Sequence, residues 1–191
     1  MQSSTYRIKQ PIFLRIFILI SIIIGLASFK KEDATYCYSS NHFRFLSTPC
    51  DMKLIRACTI ADSILNCPKF WDSVRFNHKQ RIANSHYTMK RLADTLQNYK
   101  GVTTLELDKN DDEGIITAGT DTANLTRIYK AGYEASVNDL AITIIHEWVH
   151  AVDFAINDGK LEFAHRGLQG RIFNNNTASY RIEYIANAFV K

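Results

Sequence analysis

An apolar stretch near the C-terminal end constrains the fold of this chain more than any other segment. Between Ala141 and Phe154 the only charged residues are Glu147 and Asp153. A helix start of the capping-box type, Ser136-x-x-Asp139, stands ahead of the stretch. We therefore predict one strongly apolar helix over residues 137–156.

Two histidines and a glutamate lie within this predicted helix, in the sequence His146-Glu147-Trp148-Val149-His150. Residues four apart lie on one face of a helix, so His146 and His150 can share one metal ion. Glu147 stands beside that ion and can take a proton from a water molecule that zinc activates. Burying such a cluster without compensation is costly, and a bound cation removes the cost. The alternative is a pair of core histidines hydrogen-bonded to neighbours, or a surface helix.

Residues 136–154 resemble the active-site helix of the zincin metallopeptidases, whose longer motif keeps the positions around both histidines uncharged. The resemblance implies one zinc ion at His146 and His150, Glu147 as general base, and hydrolysis of peptide bonds. It also implies an upstream edge strand that holds substrate by backbone pairing. Residues 124–130 are the candidate for that edge, and an ordinary sheet strand is the alternative.

A catalytic zinc ion takes three protein ligands and keeps one position open. Glu183 lies in the segment Tyr180-Arg-Ile-Glu-Tyr-Ile-Ala-Asn187, which resembles the Glu-x-x-Ala ligand segment of glutamate-type zincins. Similar combinations occur in the ImmA/IrrE-like peptidases and in a mitochondrial processing peptidase. The latter has an aspartate three residues after its second histidine, as this chain has Asp153. An ordinary amphipathic helix with one acid at its edge is the alternative.

Other residues compete for roles at the same ion. His165 is the rival third ligand, at a distance that SprT-like zincins use, although the glycine and aromatic residue that follow it there are absent here. The alternative for His165 is an exposed loop histidine. Asp153 is a further candidate, which could orient a ligand imidazole, bond to the following loop or bind a nearby arginine. An oxyanion could be stabilised by Tyr180, Tyr184 or His165.

The rest of the chain predicts helices first, then a small mixed sheet, then the site helix and a C-terminal helix. This order is an α+β fold, and the resemblance makes it zincin-like. Residues 34–50 are expected to be irregular. Helices are expected at residues 51–66, 77–99 and 178–190, and strands at residues 102–107, 115–118 and 124–130.

The first 27 residues are typical of a signal peptide. Arg7, Lys9 and Arg15 precede the apolar run at residues 16–27. The run ends in Gly25-Leu26-Ala27, with small residues at the two positions that a signal peptidase reads. An uncleaved membrane anchor is the alternative, although the run is short for one. Either interpretation places a single domain, residues 28–191, outside the cytoplasm. It is secreted or periplasmic if the segment is cleaved, and membrane-anchored if it is not. That domain has 20 basic residues (the total of 23 less these three) and 19 acidic ones, which gives no electrostatic case for nucleic-acid binding.

Four cysteines lie in the N-terminal helical part of this domain, at Cys37, Cys50, Cys58 and Cys67. An even number in an exported chain predicts two disulfides, in one of three pairings. No two of them have the spacing of a zinc ribbon. Free core cysteines are the alternative if the chain is not exported.

Two functions from different classes follow from these observations. The first is a zinc-dependent metalloendopeptidase that hydrolyses peptide bonds of a protein or peptide substrate. The second is an exported binding domain that keeps the zincin-like fold and does not cleave. The intact combination of His146, Glu147 and His150 favours the enzyme.

Overall fold

The computed structural model describes residues 36–45, 50–76, 80–83, 85–108, 118–157, 162–163 and 176–190. Within these residues the predicted α+β class is confirmed, with a five-stranded mixed sheet and six helices. The strands are β1 (Tyr38–Ser39), β2 (Phe43–Phe45), β3 (Thr103–Asp108), β4 (Ala118–Thr122) and β5 (Leu125–Tyr129). The helices are α1 (Met52–Leu65), α2 (Pro68–Arg75), α3 (Met89–Asn98), α4 (Lys130–Glu134), α5 (Val137–Ile156) and α6 (Ala178–Asn187). The predicted signal peptide and His165 lie outside the described residues.

The sheet has the strand order β1-β2-β3-β5-β4. Its three inner strands, β2, β3 and β5, run parallel, and the outer strands β1 and β4 are antiparallel to their neighbours. Buried and less buried residues alternate along β2 and β5. Successive side chains of a strand point to opposite faces, so this alternation shows a sheet with one face covered.

Helix α5 has the bounds that the sequence predicted. The side chain of Ser136 accepts a hydrogen bond from the backbone N–H of Asp139 at 3.1 Å, which caps its first turn. The helix is buried along most of its length, and it packs against α1, α6 and strand β4. An apolar helix with so little charge is stabilised in such a central position by burial of its surface.

The N-terminal half departs from the predicted pattern in three places. The segment expected to be irregular contains the β1–β2 pair, whose strands are too short to show a period. Pro68 begins α2, which was not predicted, because a proline fits the first turn of a helix as well as the position after one. In the described part of residues 77–99 the expected helix begins at Met89, where Thr88 caps it and also forms a β-bridge with Arg81.

The prediction of two disulfides is wrong in number. Cys37 and Cys50 form one disulfide, whereas Cys58 and Cys67 are free thiols. Cys58 has no exposed surface and belongs to the buried face of α1, and Cys67 packs half-buried against the same core. Both therefore serve as small apolar core residues, a common role for free cysteine.

None of the helices in the described ranges is long and apolar enough to cross a bilayer.

Candidate functional site

The two histidines of the motif lie side by side on α5. The centroids of the His146 and His150 rings are 5.2 Å apart, with 64° between the ring planes. His146 is 9% exposed, and His150 is partly exposed. One turn of helix thus presents both imidazoles on one face, as their spacing predicted.

A second helix brings a carboxylate to the first of these histidines. Helix α6 packs against α5, and its Ile182 and Ala186 are buried. On this helix Glu183 places Oε2 at 2.6 Å from Nδ1 of His146. The two residues are 37 positions apart in the sequence, so their contact depends on the packing of the two helices.

The carboxylate of Glu147 is buried beneath the sheet edge and held by a threonine. Thr120 Oγ1 lies 2.9 Å from Oε2 of Glu147, and also 3.0 Å from the backbone oxygen of the same residue. Thr126 Oγ1 lies 3.0 Å from the Thr120 hydroxyl. Burial raises the pKa of the Glu147 carboxyl, and the charge of Glu183 adds to the rise, while His146 and the Thr120 hydrogen bond oppose it.

The strand nearest the site is not the one that the sequence suggested. Residues 124–130 contain β5, which is a strand but lies between β3 and β4. In the described sheet the outer strand beside α5 is β4, and it carries Thr120. The alternating sequence of β5 predicts which of its side chains are buried. It does not predict which strands lie on either side of β5 in the sheet. Thr120 itself, within the sequence Ala-Gly-Thr-Asp-Thr, gave no signal of a role.

Asp153 lies one turn beyond His150 and bonds to the loop that follows the helix. It is fully buried, and it accepts hydrogen bonds from the backbone N–H groups of Glu162 at 3.0 Å and Phe163 at 2.7 Å. The Asn157 side chain donates a third, at 2.6 Å. Among the three roles considered, these contacts are those of a loop anchor. Burial raises the pKa of Asp153 against the effect of these hydrogen bonds.

Of the tyrosines considered for the oxyanion, Tyr180 lies at the site. Its ring centroid is 5.0 Å from that of His146, in an edge-to-face arrangement. Burial raises the pKa of the Tyr180 hydroxyl, and the charges of Glu183 and Glu147 raise it further. Tyr184, one turn along the same helix, is 76% exposed.

The donor types at the site suit zinc, although the side chains are not arranged around a common point. Two imidazoles and a carboxylate are a donor set of catalytic zinc sites. Within the described ranges, no three histidine, cysteine, aspartate or glutamate side chains are grouped so that they could hold a metal ion as they stand. His146 and Glu183 are instead joined directly by their hydrogen bond.

Comparison with known proteins gives no relative for this chain. No family model matches it, no curated protein sequence matches it, and no solved structure matches its fold.

Proposed function

We propose that this chain is a zinc-dependent metalloendopeptidase with a zincin-like fold. His146, His150 and Glu183 are the proposed ligands of one zinc ion, and Glu147 is the proposed general base. The observation that carries the proposal is the approach of Glu183, from a separate helix, to the histidine pair. A core histidine hydrogen-bonded to a neighbouring acid would make the same contact, so zinc binding is the measurement that separates the two interpretations.

The proposed ligands fit the ion in number and chemistry. Zinc in hydrolytic sites takes three protein donors, and two histidines with one glutamate are a common set. His146, His150 and Glu183 would each supply one donor side chain to the ion. A zinc ion held there would supply an activated water molecule and polarise the carbonyl group of a peptide bond.

The surroundings of Glu147 suit a base. The Thr120 hydrogen bond engages Oε2 and leaves Oε1 to accept a proton. Burial raises the pKa of this carboxyl above that of an exposed glutamate, which makes it a stronger base. The carboxyl can then hold the proton until the leaving amine takes it. Tyr180, against His146, is the proposed donor to the oxyanion.

The proposed substrate is a protein or peptide outside the cytoplasm. The Cys37–Cys50 disulfide is typical of proteins in an oxidising compartment, such as the extracellular space or the periplasm. This location agrees with the export signal expected from the first 27 residues.

The test is a charge-removing change at the base. Glu147→Gln should bind zinc and unfold at the same temperature as the wild type, yet cleave an unfolded protein substrate about 100- to 10,000-fold more slowly. Glu134→Gln, an exposed glutamate on α4, is the matched control and should retain full activity. Zinc content is measured by metal analysis, and cleavage is measured by release of peptides.

Two results would reject the proposal. Undiminished cleavage by Glu147→Gln would show that Glu147 is not the general base. Wild-type protein that binds no zinc and cleaves nothing would favour the exported binding domain instead.

A further inference from the structure

A polar cavity lies apart from the proposed zinc site. It has a volume of about 420 Å³, within the range of small-molecule sites. It is formed by the β1–β2 turn, the C-terminal ends of α1 and α3, and the segment that leads into β3. Its polar lining consists of Ser40, Asn41, His42, Asn66, Gln97 and Lys100.

The imidazole of His42 is held in a fixed orientation at this cavity. Its Nδ1 lies 2.7 Å from Oδ1 of Asp62, a buried carboxylate at 7% exposure. The Tyr38 hydroxyl donates to the other oxygen of Asp62. The ring also packs edge-on against Trp148, with centroids 5.5 Å apart. Nε2 of His42 has no hydrogen-bond partner among the described residues, so it can form a hydrogen bond with a ligand.

The charges around the cavity favour an anion. None of the described residues that line it is acidic, and Lys100 is exposed there with no ion-pair partner in the described ranges. Arg75 donates to the amide oxygen of Gln97, which leaves the Gln97 NH₂ group as a donor. The nearby carboxylate of Asp62 is engaged by His42 and Tyr38 and does not line the cavity.

We propose that this cavity binds a small anionic molecule of the carboxylate or phosphate class, with His42 and Lys100 as its principal contacts. The shared feature of both classes is a compact group of anionic oxygens, which accepts hydrogen bonds from cationic and amide donors. This inference does not depend on zinc or on peptide hydrolysis.

Trp148 provides a reporter for the cavity. Its indole contacts His42, and its ring centroid lies 6.3 Å from that of Tyr99; both of these residues line the cavity. Its Nε1 is buried without a hydrogen-bond partner in the described ranges. The other tryptophan of the chain, Trp71, donates to the backbone oxygen of Leu65 at 2.7 Å and lies in the core. The two indole N–H signals are therefore expected to respond differently to a ligand.

The experiment is a titration of the metal-free protein with inorganic phosphate and, separately, with succinate, at constant ionic strength. The indole N–H signal of Trp148, assigned by comparison with Trp71→Phe, is followed by two-dimensional NMR. At least one of the two anions should shift this signal saturably at millimolar concentrations. Lys100→Glu should weaken binding about tenfold or more. It replaces a cationic hydrogen-bond donor by a carboxylate, which has the same sign of charge as the ligand.

A matched variant distinguishes a local site from general charge. Lys69→Glu makes the same charge change at an exposed lysine outside the cavity lining, and it should bind like the wild type. His42→Gln should also weaken binding while both indole signals remain dispersed as in a folded protein. Shifts that never saturate, or equal binding by Lys100→Glu and the wild type, would overturn the inference. Saturation by phosphate alone or succinate alone identifies which of the two classes the cavity accepts.

Discussion

At the scale of single residues, Thr120 ties the outer strand of the sheet to the proposed base. Its hydroxyl is 2.9 Å from the Glu147 carboxylate, and removing it leaves a buried acid without that donor. If the proposed function holds, Thr120→Val should lower kcat about 10- to 150-fold with KM unchanged, since a hydrogen bond to a charged group contributes roughly 1.5–3 kcal/mol. Steady-state kinetics on a peptide substrate measures both constants.

The proposed role of Thr120 is to position the Glu147 carboxylate. Its controls must therefore separate that effect from a loss of stability of the fold. Thr120→Ser keeps the hydroxyl and should restore most of the rate. Thr122→Val makes the same change at an exposed position of the same strand and should leave kcat unaltered. Equal losses in Thr120→Ser and Thr120→Val would show that the hydroxyl alone does not sustain the rate, and would contradict a positioning role for this hydrogen bond.

The contact between Glu183 and His146 is expected to affect zinc affinity. A carboxylate in contact with Nδ1 of a histidine can be a ligand of the ion, or it can orient the histidine that is one. As a ligand, Glu183→Gln should lose more than about 100-fold in zinc affinity, whereas loss of an orienting partner typically costs about 10- to 100-fold. Competition with a chelator of known affinity measures the loss. A loss of zinc affinity below tenfold would show that Glu183 neither binds the ion nor orients one of its ligands.

At the scale of elements, Asp153 anchors the chain beyond α5. It accepts two backbone hydrogen bonds from residues 162–163 while fully buried. Asp153→Asn replaces one acceptor oxygen by a donor, so it should reduce the free energy of unfolding by about 1–3 kcal/mol. Denaturant unfolding measures the loss, and Asp72→Asn on the exposed side of α2 should cause almost none.

The pH dependence of this loss has a definite sign. Burial raises the pKa of Asp153 in the folded state above its ordinary value of 3.8, so the folded state binds the proton more tightly than the unfolded chain does. The contribution of Asp153 is therefore full below pH 3.8 and declines as pH rises through the folded-state pKa. The stability difference between wild type and Asp153→Asn should shrink over that interval. A difference that grew with pH would contradict the direction of the shift.

Elements with a strong local signal were predictable from the sequence, and elements set by tertiary contacts were not. Asp51 and Ser136 mark the starts of α1 and α5, because side-chain capping is encoded within four residues. The edge position of β4 has no such local code, since strand order follows from pairing between distant segments. The start of α3 was misplaced because apolar residues upstream of Met89 continue a helical spacing while the chain forms a β-bridge.

The same distinction applies to the candidate site. The spacing of His146 and His150 predicts their shared face, because a single helix fixes it. The pairing of Glu183 with His146 was suggested only by resemblance to a family segment. Thr120 could not have been found, because its role depends on the packing of β4 against α5.

At the scale of the whole molecule, α5 separates two regions of different chemistry. His146 and His150 lie on one side with the carboxylates of Glu147 and Glu183. Two residues after His146, about 200° around the helix, Trp148 faces His42 and Tyr99 at the polar cavity. The helix is therefore shared by the proposed zinc site and the proposed anion site, while their titratable residues are distinct.

The four cysteines of the chain are expected to differ in oxidation state and in reactivity. With one disulfide, protein purified from an oxidising compartment and denatured without reductant should show two titratable thiols, and four after reduction. Before denaturation Cys67 should react with a thiol reagent far faster than Cys58. Cys58 has no exposed surface, and burial raises the pKa of its thiol to about 12, so hardly any thiolate exists at neutral pH. A denatured, unreduced protein without any free thiol would mean that Cys58 and Cys67 also pair, as the even number of cysteines predicted, and that the core around α1 is packed differently.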